Sequence, residues 1–204
     1  MARKTKEEAE ATRKAILDAA TVVFVEKGVS RASLEEIAQQ AGVTRGAVYW
    51  HFKNKLDLFT ALYDLLFTPF TETLLKDLEQ DHPQPLRQLE TLCTNMFLDL
   101  EENHQKKRIL TIFFLKCDYS GEWTTIRDSQ NARKEKCLHL FQEYFQRAQA
   151  KGHLPAEADT HDLTLTLMAF ITGLTYECLR NPELFDIQKT SPNLIRYFLR
   201  GLDS

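Results

Sequence analysis

Residues 33–55 read SLEEIAQQAGVTRGAVYWHFKNK, and this stretch decides the fold. Ser33 with Glu36 three positions on is a capping box, and Leu34, Ile37, Ala38 and Ala41 follow at the spacing of one helix face until Gly42 closes the element. Thr44 then caps a second short helix that turns Val48 and Phe52 inward. Two short helices joined by a tight turn containing glycine have the geometry of a helix-turn-helix. Gly42 supplies the positive φ of the turn, and Gly46, without a side chain, lets the second helix come close to whatever it faces.

Reading outward, Thr5 and Glu8 form another capping box, and Ile16, Ala20, Val23 and Phe24 recur at helical spacing until Gly28 offers a left-handed stop. This gives a first helix over about 7–27. Asn54 with Asp57 starts a longer helix that runs to about Asp81. Beyond Pro83 the pattern predicts helices over roughly 84–103, 105–116, 123–151, 160–181 and 191–203. The breaks fall at Pro83 and Pro85, Ser120-Gly121, Gly152 with Pro155, and Asn181-Pro182. No stretch alternates with period two. The expected fold is all-α with about nine helices. An N-terminal three-helix helix-turn-helix domain, residues 1–55, is linked by a long helix to a C-terminal helical domain, residues 56–204.

Composition narrows the function classes. The 204 residues are 43% hydrophobic and 27% charged, with only 7 Gly and 6 Pro, which suits a globular protein of long helices. No apolar run reaches membrane-spanning length, and no basic stretch leads into an apolar one near the N-terminus, so a cytoplasmic protein without a membrane partner is expected. Cys93, Cys117, Cys137 and Cys178 each sit in an apolar helical pattern with no C-x-x-C pair, which reads as buried small hydrophobes and not as a disulfide framework or a zinc site. No cofactor or metal is expected. The net charge of −3 divides into +3 over residues 1–55 and −6 over the remainder, so only the N-terminal head suits a polyanion.

The chemistry of that head fits DNA. Arg45 opens the second helix of the motif and can fork onto guanine O6 and N7. Lys53 and Lys55 flank Asn54 at the next helix start, where the macrodipole disfavours a cation and a phosphate would compensate. Tyr49 and His51 can donate to phosphate oxygens. Trp50 fits two places equally well, beneath the recognition helix or against the DNA backbone.

The run from Leu34 to Ala38 and the run from Ala41 to Lys55 together resemble the DNA-binding domain of the tetracycline-repressor (TetR) family. Met1 to Lys6 and Phe114-Leu115-Lys116-Cys117-Asp118 are similar to its AcrR-type branch, whose members repress multidrug efflux pumps and so govern antibiotic resistance. The resemblance implies that Thr44, Tyr49, His51 and Lys55 hold phosphates while Arg45 and Gly46 face the bases. It also implies that Ser33 meets the backbone, that the protein is a homodimer on a palindromic operator, and that a small molecule in the C-terminal domain releases it.

That domain carries more apolar surface than one core contact covers. Ile109 to Leu115 is apolar on every face except at Thr111, which requires burial all round. The 160–181 helix has one stripe through Leu163, Leu167, Phe170 and Leu174 and another through Met168, Ile171, Thr172, Thr175 and Leu179. In TetR-like proteins the last two helices pair with their copies and the other face looks into a ligand cavity. The first stripe, with Leu194, Tyr197, Phe198 and Gly201, is therefore expected at the dimer interface. The second is expected to line the ligand site with Phe67, Phe70, Leu92, Cys93 and Met96, then Leu110, Phe113, Phe114, Cys137 and Phe141. Tyr176, Thr172 and Thr111 can orient a ligand, and the absence of charge among these positions favours an uncharged or amphiphilic aromatic inducer.

Two other readings compete. An enzyme would need a phosphate-cradling Gly-rich loop, an HExxH or a nucleophile elbow, and the sequence has none. A regulator of lipid or metabolite genes, or a chromosome-associated DNA-binding factor without an inducer, would keep the same head.

Overall fold

The computed structural model describes residues 5–119 and 124–201. Among them are nine α-helices, one π-helical segment and no strand, so the expected all-α fold holds. The helices are α1 (Lys6–Lys27), α2 (Leu34–Gln40), α3 (Arg45–His51), α4 (Lys55–Leu78), α5 (Pro85–Glu102), α6 (His104–Thr111), α7 (Thr124–Ala150), α8 (Thr160–Arg180) and α9 (Ile187–Arg200), with the π segment at Ile112–Lys116. The Ser120-Gly121 break, the stretch Met1 to Lys4 and the end of a helix reaching 203 lie outside the described residues.

The helix starts are built as the sequence reads. Thr5 with Glu8 and Ser33 with Glu36 each form a complete capping box. At the start of α4 the Asp57 amide donates to Asn54 Oδ1 at 2.8 Å, and the Lys53 amide donates to Asp57 Oδ2 at 3.0 Å. Gly28 and Gly42 take φ of +78° and +66°, a region closed to most side chains.

Three places depart from the sequence reading. Helix α9 starts at Ile187, four residues earlier than expected, because Asp186 caps it by accepting from the Lys189 amide. Pro192 thus sits inside the helix, where it leaves the Gln188 carbonyl without its usual donor on an exposed turn. Pro69 likewise lies within α4. The stretch Ile109 to Leu115 is not buried all round: Ile109, Ile112 and Phe113 are buried while Leu110, Phe114 and Leu115 are half-buried. There the helix widens into the π segment, a form that appears mostly as isolated turns and often at functional sites. The Tyr119 hydroxyl donates to the Phe113 carbonyl at 3.1 Å, satisfying one carbonyl of that segment.

The chain falls into two compact units, Met1–Phe67 with Gln105–Ser129, and Thr68–His104 with Gln130–Ser204. The division runs through α4 beside Pro69, and it groups α6 and the π segment with the three N-terminal helices. The sequence reading divides the chain by function at residue 55 instead.

The first unit packs around aromatic rings. Phe59 and Tyr63 of α4 meet Phe113 edge-on at centroid distances of 4.7 and 5.2 Å, Phe24 of α1 closes on Phe59, and Tyr63 stacks on Phe67 at 4.0 Å. Ile37, Val48 and Phe52 join this core and hold α2 and α3 to α1.

In the second unit Phe97, Phe141, Tyr144 and Phe145 are fully buried. The Tyr144 phenol donates to Asp77 Oδ2 at 2.6 Å, and burial together with this bond pushes its pKa up. Gln88 donates to the Asp77 carbonyl, and Arg147 donates to the Leu78 carbonyl, so the end of α4 is tied to α5 and α7 by polar bonds. Arg196 of α9 pairs with Glu90 of α5 at 3.4 Å.

Cys93, Cys137 and Cys178 are buried and Cys117 is half-buried, and none of them is in a disulfide. Burial pushes Cys93 up to about 12.

Glu36 ties the start of α2 to the end of α1. It accepts from the Ser33 amide and from Lys27 Nζ, and the Lys27 bond, then the Ser33 bonds, hold its carboxyl at about 2. A carboxyl whose pKa falls on folding adds stability above its unfolded value, and that share fades as pH drops through the folded value. Glu36→Ala should therefore melt below wild type at neutral pH, with the gap closing between about pH 4.5 and 2; thermal melts at several pH values check this.

Candidate nucleic-acid interface

The α2–α3 turn is closed by backbone bonds. The Gly42 amide donates to the Gln39 carbonyl at 3.1 Å and the Val43 amide to the Ala38 carbonyl at 3.0 Å. Thr44 Oγ1 caps α3 by accepting from the Ala47 amide at 3.2 Å. With Val48 fully buried, α3 turns Arg45, Gly46, Tyr49 and Trp50 outward, while His51 is half-buried.

Trp50 is 73% exposed and its ring meets that of His51 edge-on at 4.5 Å. Of the two places open to it on sequence grounds, it takes the outer one. A Cβ added at Gly46 would approach only Thr44 Oγ1, at 3.9 Å, so nothing inside the chain requires glycine there. Close approach from outside is a sufficient reason for it.

Arg45 lies against Tyr49. Its guanidinium carbon is 5.4 Å from the ring centroid and its Nη2 donates to the Tyr49 hydroxyl at 3.4 Å. Tyr49 first, then Glu35 of α2, favour its charged form and raise its pKa.

The turn between α1 and α2 is the second element of the site. Lys55 Nζ donates to the carbonyls of Ser30 and Ala32 at 2.9 and 3.0 Å, which compensates the cation at the start of α4 from within the protein. On the other side the Val29 amide donates to the Lys116 carbonyl at 3.1 Å, so the π segment is bonded to the same turn. A cleft of about 400 Å³ opens beside this bond, with Lys27, Arg31 and Lys116 in its walls. The turn ends in Ser33, whose hydroxyl caps α2.

Of the residues read as DNA contacts, Arg45, Gly46, Tyr49 and Trp50 therefore share one exposed face. Ser33, Thr44 and Lys55 are also engaged inside the protein. The Lys55 clamp has no local sequence signal, because its partners are carbonyls 23 and 25 residues away. The Arg45–Tyr49 pair does have one, the i, i+4 spacing.

The residues read as ligand contacts are spread over both units. Phe67, Leu110, Phe113 and Phe114 belong to the first and the others to the second. Phe70 and Phe141 face each other at 6.1 Å. Cys93, Cys137 and Phe141 are packed in the core, Leu92, Ile171 and Thr175 are buried, and Met96, Met168 and Tyr176 are half-buried. Thr172 is exposed.

The two stripes expected on α8 are not two separate faces. Leu167 and Leu174 from the first, with Ile171 and Thr175 from the second, form one buried seam within the single chain. Leu167 has no exposed surface, and Leu174 has 7%, so this pair faces its own chain's core and not a partner. Periodicity locates two adjacent stripes but cannot say which edge is central. The outward face of α8 instead carries Leu165, Ala169, Thr172 and Gly173. Phe170 remains half-buried and stacks on Phe198 of α9 at 5.1 Å, with Leu163 and Leu194 also half-buried and Tyr197 and Gly201 exposed.

An exposed recognition helix held on a three-helix head defines a helix-turn-helix DNA-binding protein. Residues 16–62 match the family described as bacterial regulatory proteins, tetR family, and residues 84–203 match the MAATS-type transcriptional repressor, C-terminal region. The chain belongs to the tetR family of transcriptional regulators. It is 35% identical over 203 residues to the HTH-type transcriptional regulator AcrR of Shigella flexneri, covering 98% of this chain and 93% of that one. It is similar to the crystal structure of NalD, the secondary repressor of the MexAB-OprM multidrug efflux pump in Pseudomonas aeruginosa, with a TM-score of 0.84 and 38% identity over 97% of this chain and 98% of that one. It is also similar to SmeT, a repressor of a Stenotrophomonas maltophilia multidrug efflux pump, in complex with triclosan, with a TM-score of 0.85 and 31% identity over 95% of this chain and 92% of that one. Repressors of this family bind operator DNA as homodimers and respond to small molecules, and they are not enzymes. Among the described residues no helix is long and apolar enough to cross a membrane.

Arg45→Ala should cost roughly 1–3 kcal/mol of operator affinity per half-site and relax base preference at one position. Competition binding against a set of single-base operator variants reads both effects; unchanged affinity and preference would remove Arg45 from the interface.

Proposed function

We propose that this protein is a cytoplasmic repressor of a multidrug efflux operon. It binds a palindromic operator as a homodimer through α3 of each protomer and is released by an apolar or amphiphilic small molecule. Residues 1–55 serve DNA binding, and residues 56–204 serve ligand binding and dimerisation. The observation that carries this reading is the outward face of α3, where a guanidinium, a glycine that the chain itself does not need and two exposed aromatic rings stand together. The pump named for NalD and the triclosan bound to SmeT support the choice of regulated gene and ligand class.

Two recognition helices must meet successive major grooves about 34 Å apart, which requires a dimer. The face best suited to a second copy runs along Leu165, Ala169 and Gly173 of α8 with Tyr197 of α9. A Cβ at Gly173 would meet nothing within 4 Å in the single chain, so the position leaves room for a partner's backbone. Gly173→Arg should fold normally and sediment as a monomer; an intact dimer would move the interface elsewhere.

Release follows from what the π segment touches. Phe113 is wedged between Phe59 and Tyr63 of α4, and three residues later the Lys116 carbonyl holds Val29 in the turn that leads to α2. A ligand acting on Phe113 or Phe114 shifts this segment and loosens the turn, while the start of α4 is drawn along through Lys55. A coupling of about 1–3 kcal/mol changes operator affinity some 5- to 150-fold, and by linkage operator must weaken the ligand equally. Calorimetric titration with triclosan, with and without an operator duplex, tests this; equal triclosan affinity in both would contradict the inducer reading.

A further inference from the structure

The outward face of α3 contains a pairing that affects how Arg45 reaches a base. Arg45 is the first residue of α3, where the helix macrodipole disfavours a cation, and its side chain has several free torsions to lose on binding. Tyr49 follows one turn later. Helical side chains lean back toward the N-terminus, which brings its ring over the preceding turn. The guanidinium lies at 5.4 Å from the ring centroid and donates to the hydroxyl at 3.4 Å, so ring and hydroxyl together restrict it.

We propose that Tyr49 is a positioning residue for operator choice: it pre-orients the Arg45 fork for a base edge, and its contribution to DNA recognition passes through Arg45 and not through a phosphate. The inference rests on the reading of α3 as the recognition helix. Two features of the site agree with it. Tyr49 is 46% exposed, so it is not a core residue whose change would unfold the head. The Trp50 ring is turned onto His51 and leaves the Arg45–Tyr49 stack undisturbed. An ordered guanidinium loses less entropy on reaching a guanine, and this gain is confined to sequences that present one at the right place.

A phosphate contact and a positioning contact differ in what they do to the wrong DNA. A lost phosphate contact weakens binding to every duplex alike, whereas a lost positioning contact weakens only the duplex that Arg45 reads. The experiment measures Tyr49→Phe, Tyr49→Leu, Arg45→Ala and the Tyr49→Leu/Arg45→Ala pair against a duplex selected from a random pool and against a scrambled duplex of equal length. Tyr49→Phe keeps the ring and should give a small loss. Tyr49→Leu should lower affinity for the selected duplex about 5- to 30-fold over two half-sites, the size expected of an exposed cation–π contact in each. The scrambled duplex should bind as before. In the Arg45→Ala background the Tyr49→Leu change should have no further effect, and both single variants should relax preference at the same base pair. Equal weakening on both duplexes, or additive losses in the double variant, would overturn the inference while leaving α3 as the recognition helix. If Arg45→Ala itself leaves selectivity untouched, the reading of α3 fails first.

Discussion

The six-residue connection from Gly28 to Ser33 is the constraint on which the DNA-binding head depends. Val29 and Ala32 bury their side chains in the core of the first unit, and the connection sets where α2 begins. Backbone and charge fix it from three sides: Val29 to the Lys116 carbonyl, Lys55 to the Ser30 and Ala32 carbonyls, and Glu36 to Lys27 and Ser33. Gly28 suits this position because its φ is +78°, a region that side-chain-bearing residues rarely adopt. Each bond is individually modest. Together they join the end of α1, the start of α4 and the end of the π segment to the start of α2.

This explains why the compact first unit includes residues 105–129. Aromatic packing of Phe113 against Phe59 and Tyr63 gives the unit its core, and the turn gives it a polar connection to the head. In the proposed release, displacement of the π segment would reach the helix-turn-helix both through α4 and through the turn.

The sequence made the head legible almost completely. Capping boxes, left-handed glycines and the inward positions Ile37, Val48 and Phe52 are local features, and local features follow from residue type and spacing. What escaped was long-range. Lys55 has carbonyl partners 23 and 25 residues away, which no local pattern announces. On α8, apolar spacing locates two adjacent stripes but not the seam between them, and Leu167 and Leu174 lie on the inside. Pro192 marks no helix start, because Asp186 supplies the cap. In the second unit, burial of Cys93, Cys137 and Phe141 agrees with the apolar patterning of their helices.

In the proposed release, the Val29–Lys116 bond is the link between inducer and operator. Amide hydrogen exchange at Val29 tests it directly, in the protein alone, with a selected operator duplex, and with triclosan at a concentration that releases the duplex. Exchange should be slow in the protein alone, equal or slower on operator, and clearly faster with triclosan. Val29 exchange that triclosan leaves unchanged while it releases the DNA would contradict this link.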